Sequence, residues 1–246
     1  MSAFKVCIVL SLQYEQGINN GYSLEIVKNV LDNLHKHNNH IPPIILLTNY
    51  KELTTVPDKR ISEIRQVRTS LYKPIGNGQN NYNGIIDFYK LEIFAFHEYD
   101  RVIYLDLDTL VRTNIADMWN PDKFNDGDIY ASKTITSSYN CGVIIINKKI
   151  LHDTAYFNNV FLHLCNLHPY NANGAQDIIN FALQICVLIT VVDLPPEYNT
   201  YVATIKNEEQ YKAAKIIHFS SFPKPWRIKN PKSKLKAYYY RILAEI

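Results

Sequence analysis

At 246 residues the chain is long enough to bury one large α/β core, and its 47% apolar and 20% charged residues are ordinary for a globular protein. Twenty-six basic against 23 acidic residues leave a net charge of +3, too small to argue for nucleic acid or an anionic membrane as partner. Four widely spaced cysteines, Cys7, Cys141, Cys165 and Cys186, hold no C-x-x-C pair, which speaks against a disulfide framework or a zinc site and fits a reducing compartment.

In chain order, KVCIVLSL (5–12) comes first. It is short and β-branched, with no basic leader and no small-residue cleavage site, so it reads as a first strand and not a signal peptide. No apolar run approaches a membrane span, and no N-x-[ST] sequon occurs; a cytoplasmic chain is expected. A helix-like segment (20–37) leads to the strand-like PIILLTN (43–49) and the weaker EIRQV (63–67). The Gly/Asn-rich YKPIGNGQNNYNG (72–84) reads as a surface loop. A helix over 82–98 carries Lys90, and RVIYLD (101–106) follows as a strand. Further strands are expected at DIYAS (128–132), GVIIIN (142–147), VLITVVD (187–193) and KIIHFS (215–220), with helices at 148–166, 175–185 and 232–245. Strands alternating with helices predict an α/β fold with a mostly parallel sheet covered on both faces. There is no repeat or linker, so residues 1–246 are expected to form one domain.

Asp106 and Asp108 end the apolar run of YLDLDTLV (104–111). Alternation along a strand would point both carboxylates the same way, where they repel and are costly to desolvate. A metal ion, a basic partner or solvent must compensate. With repulsion alone, removal of one charge should leave stability nearly intact. Ligands of parallel sheets bind beyond the carboxyl ends of the strands. Ser11, Tyr14, Asn140, His218, Ser220 and Ser221 also fall at such positions, while G-x-G-x-x-G and Walker loops are absent. Taken singly, each residue has a plain reading: His218 as a core histidine, Lys90 as a surface lysine, Lys224 as a loop lysine, Asn140 as a turn cap.

Several motifs in order resemble the glycogenin-like branch of glycosyltransferase family 8. They are Tyr14 and Gly17 of an early Y-x-x-G, Lys90 ahead of YLDLDTLVRTNI, NCGVIIIN (Asn140, Cys141, Gly142), GAQDIIN (Gln176, Asn180), LPPEYN (194–199) and HFSSFPKPW (His218, Lys224). The resemblance implies a single-domain GT-A fold and a retaining hexosyltransferase that uses a UDP-sugar, UDP-glucose or UDP-galactose foremost, with an acceptor left open. It implies Asp106, Asp108 and His218 as ligands of Mn²⁺, with Mg²⁺ as the other candidate; oxygen donors suit both ions, and imidazole favours Mn²⁺. It places Leu10, Ser11, Tyr14, Leu107, Asn140, Cys141, Ser221 and Lys224 around the nucleotide-sugar, with Tyr14 stacked on the uracil. Lys90, Gln176 and Asp177 are the implied catalytic residues. The family usually has an acidic residue at the positions of Ala172 and Ala175; Asn173 and Asp177 are the nearby substitutes, and a different donor sugar is another consequence.

Three alternatives stay open at this level. One is transfer, one is a haloacid-dehalogenase-type phosphatase with Asp106 as nucleophile, and one is a relative that binds nucleotide-sugar without transfer. Nothing in the sequence fixes the oligomeric state, and a homodimer is left open.

Overall fold

The computed structural model describes residues 3–13, 23–71, 88–134, 137–167, 174–220, 224–230 and 232–244. Tyr14, Gly17, Ala172, Asn173 and Ser221 lie outside these residues, as do the 72–84 segment and the start of the expected 82–98 helix.

Seven strands form the main sheet: β1 (Val6–Leu12), β2 (Ile44–Thr48), β3 (Glu63–Gln66), β4 (Arg101–Leu105), β6 (Ile129–Lys133), β7 (Tyr139–Asn147) and β8 (Val191–Asp193). Three short strands, β5 (Thr109–Val111), β9 (Thr200–Tyr201) and β10 (Ile216–His218), form a second sheet. The main order is β3-β2-β1-β4-β7-β6-β8, and only β7 runs against the others. The mostly parallel expectation therefore holds. In register, Leu10 lies opposite Leu46 and Leu105.

Alternation sorts the strand side chains into two cores. Ile8, Leu10, Ile103 and Leu105 face one, where the helix Leu24–His37 packs Ile26, Val27, Val30, Leu31 and Leu34 against them. Cys7, Val9, Val102 and Tyr104 face the other, covered by the helix Ala175–Ile185 through Ile178, Ile179 and Ala182. Each apolar side chain so buried contributes about 1.5–3 kcal/mol, which explains near-continuous apolar strands in a sheet covered on both sides.

Several boundaries differ from the sequence reading. Lys90 sits on a 3-10 helix, Tyr89–Ala95, not on an α-helix. The expected 148–166 helix breaks at Asp153, whose carboxylate accepts the Ala155 N–H and competes with the helical ladder. In VLITVVD only Val191–Asp193 is strand; Val187 and Leu188 are exposed in a turn, because pairing with β6 begins at Val191. The strands β5 and β9 and the short helix Glu208–Ala213 escaped the sequence reading, being too short to show a period. Among the described residues no helix is long and apolar enough to cross a membrane.

Candidate active site

The second sheet builds the site. β4 ends at Leu105, so Asp106 and Asp108 do not alternate along a strand; a turn brings them together. Thr109 closes that turn, its N–H and its hydroxyl both donating to the Asp106 carbonyl at 3.0 and 2.6 Å. Leu107, between the carboxylates, points into the core. β5 then runs antiparallel to β10 with Thr109 opposite His218, and the Phe219 N–H donates to the Asp108 carbonyl at 2.8 Å. Backbone pairing thus carries His218 to the carboxylates across more than 100 residues of chain.

Each carboxylate divides its two oxygens. Asp106 Oδ1 faces Lys90 Nζ at 2.8 Å and accepts the Tyr104 hydroxyl at 2.6 Å, while Oδ2 lies 3.9 Å from His218 Nε2. Asp108 Oδ2 accepts from Lys224 Nζ at 2.5 Å, and Oδ1 lies 3.3 Å from His218 Nε2. That Asp108 Oδ1 is buried with no hydrogen-bond partner. Burial by itself would raise the Asp108 carboxyl; His218 and Lys224 outweigh it and hold the group well below the usual carboxylate range.

Two carboxylate oxygens and one imidazole nitrogen therefore converge on a single point. One ligand atom from each of Asp106, Asp108 and His218 lies within 4.8 Å of the others. Ligands of an octahedral ion at about 2.1 Å stand roughly 3.0–4.2 Å apart, which the 3.3 and 3.9 Å separations match. The orphaned Asp108 oxygen and the O,O,N donor set fit a divalent cation of the Mn²⁺ or Mg²⁺ kind.

A hydrogen-bonded chain lies behind these groups. Asn140 Oδ1 accepts the Gly142 N–H at 2.9 Å, and its Nδ2 donates to Gln176 Oε1 at 3.1 Å. Gln176 Oε1 also accepts the Cys141 N–H at 3.1 Å, and Lys90 Nζ donates to the Cys141 carbonyl at 3.3 Å. Asn180 anchors the same edge by accepting the Tyr139 N–H and donating to the Tyr139 carbonyl. β7 shifts register here: Ala131 pairs with Ile144 and Ser132 with Asn140, so Cys141–Val143 leave β6 and turn toward Asp106. Gly142 is needed for the approach, since a Cβ there would meet His218 Cε1 at 2.1 Å.

The sequence-predicted residues fall as follows. Lys90, Asp106, Asp108, Asn140, Cys141, Gln176, His218 and Lys224 are joined in one network. The Leu10 and Leu107 side chains lie in the core, leaving only their main chain for a ligand. Ser11 is buried at the end of β1 and accepts from Gln13. Burial pushes the Cys141 thiol up to about 12, so it is no nucleophile. Asp177 is exposed on the first turn of its helix, and its charge reaches Cys141. The opening problem of two adjacent carboxylates has two lysines as its immediate answer, with one oxygen of each left for a cation. Sequence reading gave no role to Tyr104, Gly142 or Asn199; for Asn199 and Gly142 the only signals were the motifs LPPEYN and NCGVIIIN.

The model of glycosyl transferase family 8 matches residues 27–230. No curated protein matches the chain. Among solved structures, the glycosyltransferase GlyE of Streptococcus pneumoniae TIGR4 is 20% identical, with TM-score 0.63 over 98% of this chain and 63% of that one. The bifunctional glycosyltransferase WbbM is 17% identical, with TM-score 0.65 over 99% of this chain and 50% of that one. The galactosyltransferase LgtC, solved with donor and acceptor sugar analogs, is 16% identical, with TM-score 0.63 over 98% of this chain and 96% of that one. The chain thus spans half to two-thirds of GlyE and WbbM and nearly all of LgtC. The fold is the GT-A fold of these glycosyltransferases.

Proposed function

The chain belongs to glycosyl transferase family 8, and from that premise we propose that it moves a hexose from a UDP-sugar to an acceptor with retention of configuration, using Mn²⁺ held by Asp106, Asp108 and His218. Mg²⁺ is the alternative ion. UDP-glucose and UDP-galactose are the donors proposed, and the galactosyltransferase LgtC among the structural neighbours supports the second. The observation that carries the reading is the convergence of one donor atom each from Asp106, Asp108 and His218 beside the buried Lys224 and the partly buried Lys90. One domain suffices for it, since the carboxylates and His218 sit at the ends of β4 and its small companion sheet, with the two lysines on neighbouring segments.

The ion, when bound, supplies a Lewis acid that neutralises the diphosphate of the departing nucleotide. The chain's own residues do the rest. Lys224 holds a charge against Asp108 in a water-poor setting, where it acts on an anionic leaving group with little reorganisation. Lys90, between Asp106 and the Cys141 carbonyl, does so nearer the sugar. Gln176 has its Oε1 committed to Asn140 and Cys141, so its amide nitrogen is the group offered to the donor sugar. Asp177, Ser11, Tyr14 and Ser221 complete the proposed donor site, with Leu10 and Leu107 contributing main chain. The work is positioning and charge stabilisation.

Family membership displaces the phosphatase alternative. The binding-only alternative has one observation in its favour: Ala175, where an acidic residue is usual, is buried among apolar side chains. A UDP-release assay with a panel of UDP-sugars, run with Mn²⁺ and with Mg²⁺, tests both. Release from one hexose donor, faster with Mn²⁺, supports transfer. UDP-sugar binding without release on any donor or acceptor supports the binding-only relative.

A further inference from the structure

We propose that Asn199 is a positioning residue that locks His218 in the Nδ1–H tautomer and so turns the Nε2 lone pair toward the two carboxylates. The assignment needs no visible hydrogens, because two backbone N–H groups decide it. A backbone N–H can only donate, so the atom it meets must be an oxygen. The Gly142 N–H at 2.9 Å identifies Asn140 Oδ1, and the Cys141 N–H at 3.1 Å identifies Gln176 Oε1. The Asn140 atom facing Gln176 Oε1 must then be the donor Nδ2, at 3.1 Å, so both anchors agree on the orientation of Asn140.

The same logic fixes the next amide. Asn199 meets Asn140 Oδ1 at 2.9 Å, and an acceptor there demands a donor, so that atom is Asn199 Nδ2. Its other end is therefore Oδ1, and it lies 2.9 Å from His218 Nδ1. An acceptor at that distance requires the proton on Nδ1. In the neutral ring Nε2 is then bare, and it is Nε2 that lies 3.3 Å from Asp108 Oδ1 and 3.9 Å from Asp106 Oδ2.

The relay is buried: Asn199 and His218 are each 2% exposed and Asn140 is 9% exposed, so water cannot easily substitute for a missing partner. The ring plane is held as well. Tyr201, two residues beyond Asn199 on β9, stacks on His218 at 5.7 Å and 22°, and Gly142 leaves the room the ring occupies. One short segment, Asn199–Tyr201, thus sets both tautomer and tilt of His218. This gives the Asn of LPPEYN its physical role. The proposal rests on the metal reading for its affinity readout alone; the tautomer is a property of the metal-free protein.

The test is nitrogen-15 NMR of the His218 ring in the metal-free full chain, assigned by loss of its signals in His218→Gln. At a pH where the ring is neutral, the parent should show its proton on Nδ1 and a bare Nε2; a neutral ring protonated on Nε2 overturns the proposal with no variant needed. Asn199→Ala should give both tautomers and weaken Mn²⁺ by about 10- to 100-fold, the usual cost of losing a partner behind a ligand. Asn140→Leu should mix the tautomers while Asn199 still touches His218, and Asn140→Asp, which keeps the acceptor for Gly142 and Asn199, should restore the parent tautomer. An unchanged tautomer in Asn199→Ala overturns the proposal. A parent that shows the expected tautomer, loses it in Asn199→Ala, and yet binds no Mn²⁺ supports the role of Asn199 and refutes the metal reading instead.

Discussion

Lys224 and Asp108 are a buried ion pair, Nζ to Oδ2 2.5 Å, with the two side chains 4% and 5% exposed and 116 residues of chain between them. A pair this dry is held by its partners as much as by its own attraction, because either ion alone in the interior carries a large desolvation cost. The site is therefore preloaded with charge before any ligand arrives.

The first consequence reverses the expectation from sequence that removing one carboxylate relieves repulsion. Asp108→Asn leaves the Lys224 ammonium buried against a neutral amide, so the variant should be less stable by about 3 kcal/mol. It should also lose Mn²⁺-dependent UDP binding. Urea unfolding and UDP titration check the two halves separately; an unchanged urea midpoint would show the pair to be solvated.

Lys224→Met leaves the carboxylate unpaired instead. The expected loss is roughly 3–5 kcal/mol in stability, and UDP should bind more weakly with Mn²⁺ and Mg²⁺ alike, since the role proposed for the lysine is charge on the diphosphate and not the choice of ion. The double variant Asp108→Leu/Lys224→Met should recover much of the stability but none of the UDP affinity. A selective loss with one metal would assign Lys224 a different role.

Gly142→Ala puts a methyl group where His218 Cε1 lies 2.1 Å away. The ring must move, and overpacking of this kind costs about 1–3 kcal/mol. Mn²⁺ affinity should fall, with far-ultraviolet circular dichroism like that of the parent. Parent-like Mn²⁺ binding would mean that His218 can shift and still coordinate.

Ala175→Asp introduces a carboxylate at the first turn of a helix, where the dipole favours it, but into an apolar setting. The relative rates across the UDP-sugar panel should change, at a cost of about 1–3 kcal/mol in stability. Unchanged relative rates would show that this position does not reach the sugar.

Acid stability should depend on a cluster remote from the site. The Arg60 guanidinium donates to Asp58 at 2.9 and 2.6 Å and to Asp32 at 2.6 Å, with these side chains near one-fifth exposed. These bonds hold the Asp58 carboxyl well below the usual carboxylate range. A group depressed on folding stabilises the native state above its unfolded value, about pH 4, and that stability is lost as pH falls toward the folded value. Asp58→Asn should therefore lower the melting temperature near neutral pH, by up to about 1 kcal/mol equivalent, and the gap to the parent should close progressively as pH falls below about 5 toward the folded value. A gap that stays constant over this range would rule out the ionic origin.

The sequence by itself determined the fold class, the main strands and most of the residues that the structure joins in one network. Apolar β-branched runs such as Val6–Leu12 and Arg101–Leu105 had to be buried on both faces, because alternate side chains in each run are equally apolar. It also supplied the ordered motifs that carry Asp106, Asp108, His218 and Lys224, since the residue types that hold a divalent ion and a diphosphate are few. It could not show that the two carboxylates meet through a turn closed by Thr109, that each spends one oxygen on a lysine, or that Asn199 stands behind His218. Apart from the local turn, those relations join residues 16 to 116 positions apart, and the pairing that brings His218 to the carboxylates runs through strands of only two or three residues. Strands that short carry no period of their own; their pairing is dictated by neighbours already folded around them, and so only the tertiary structure decides it.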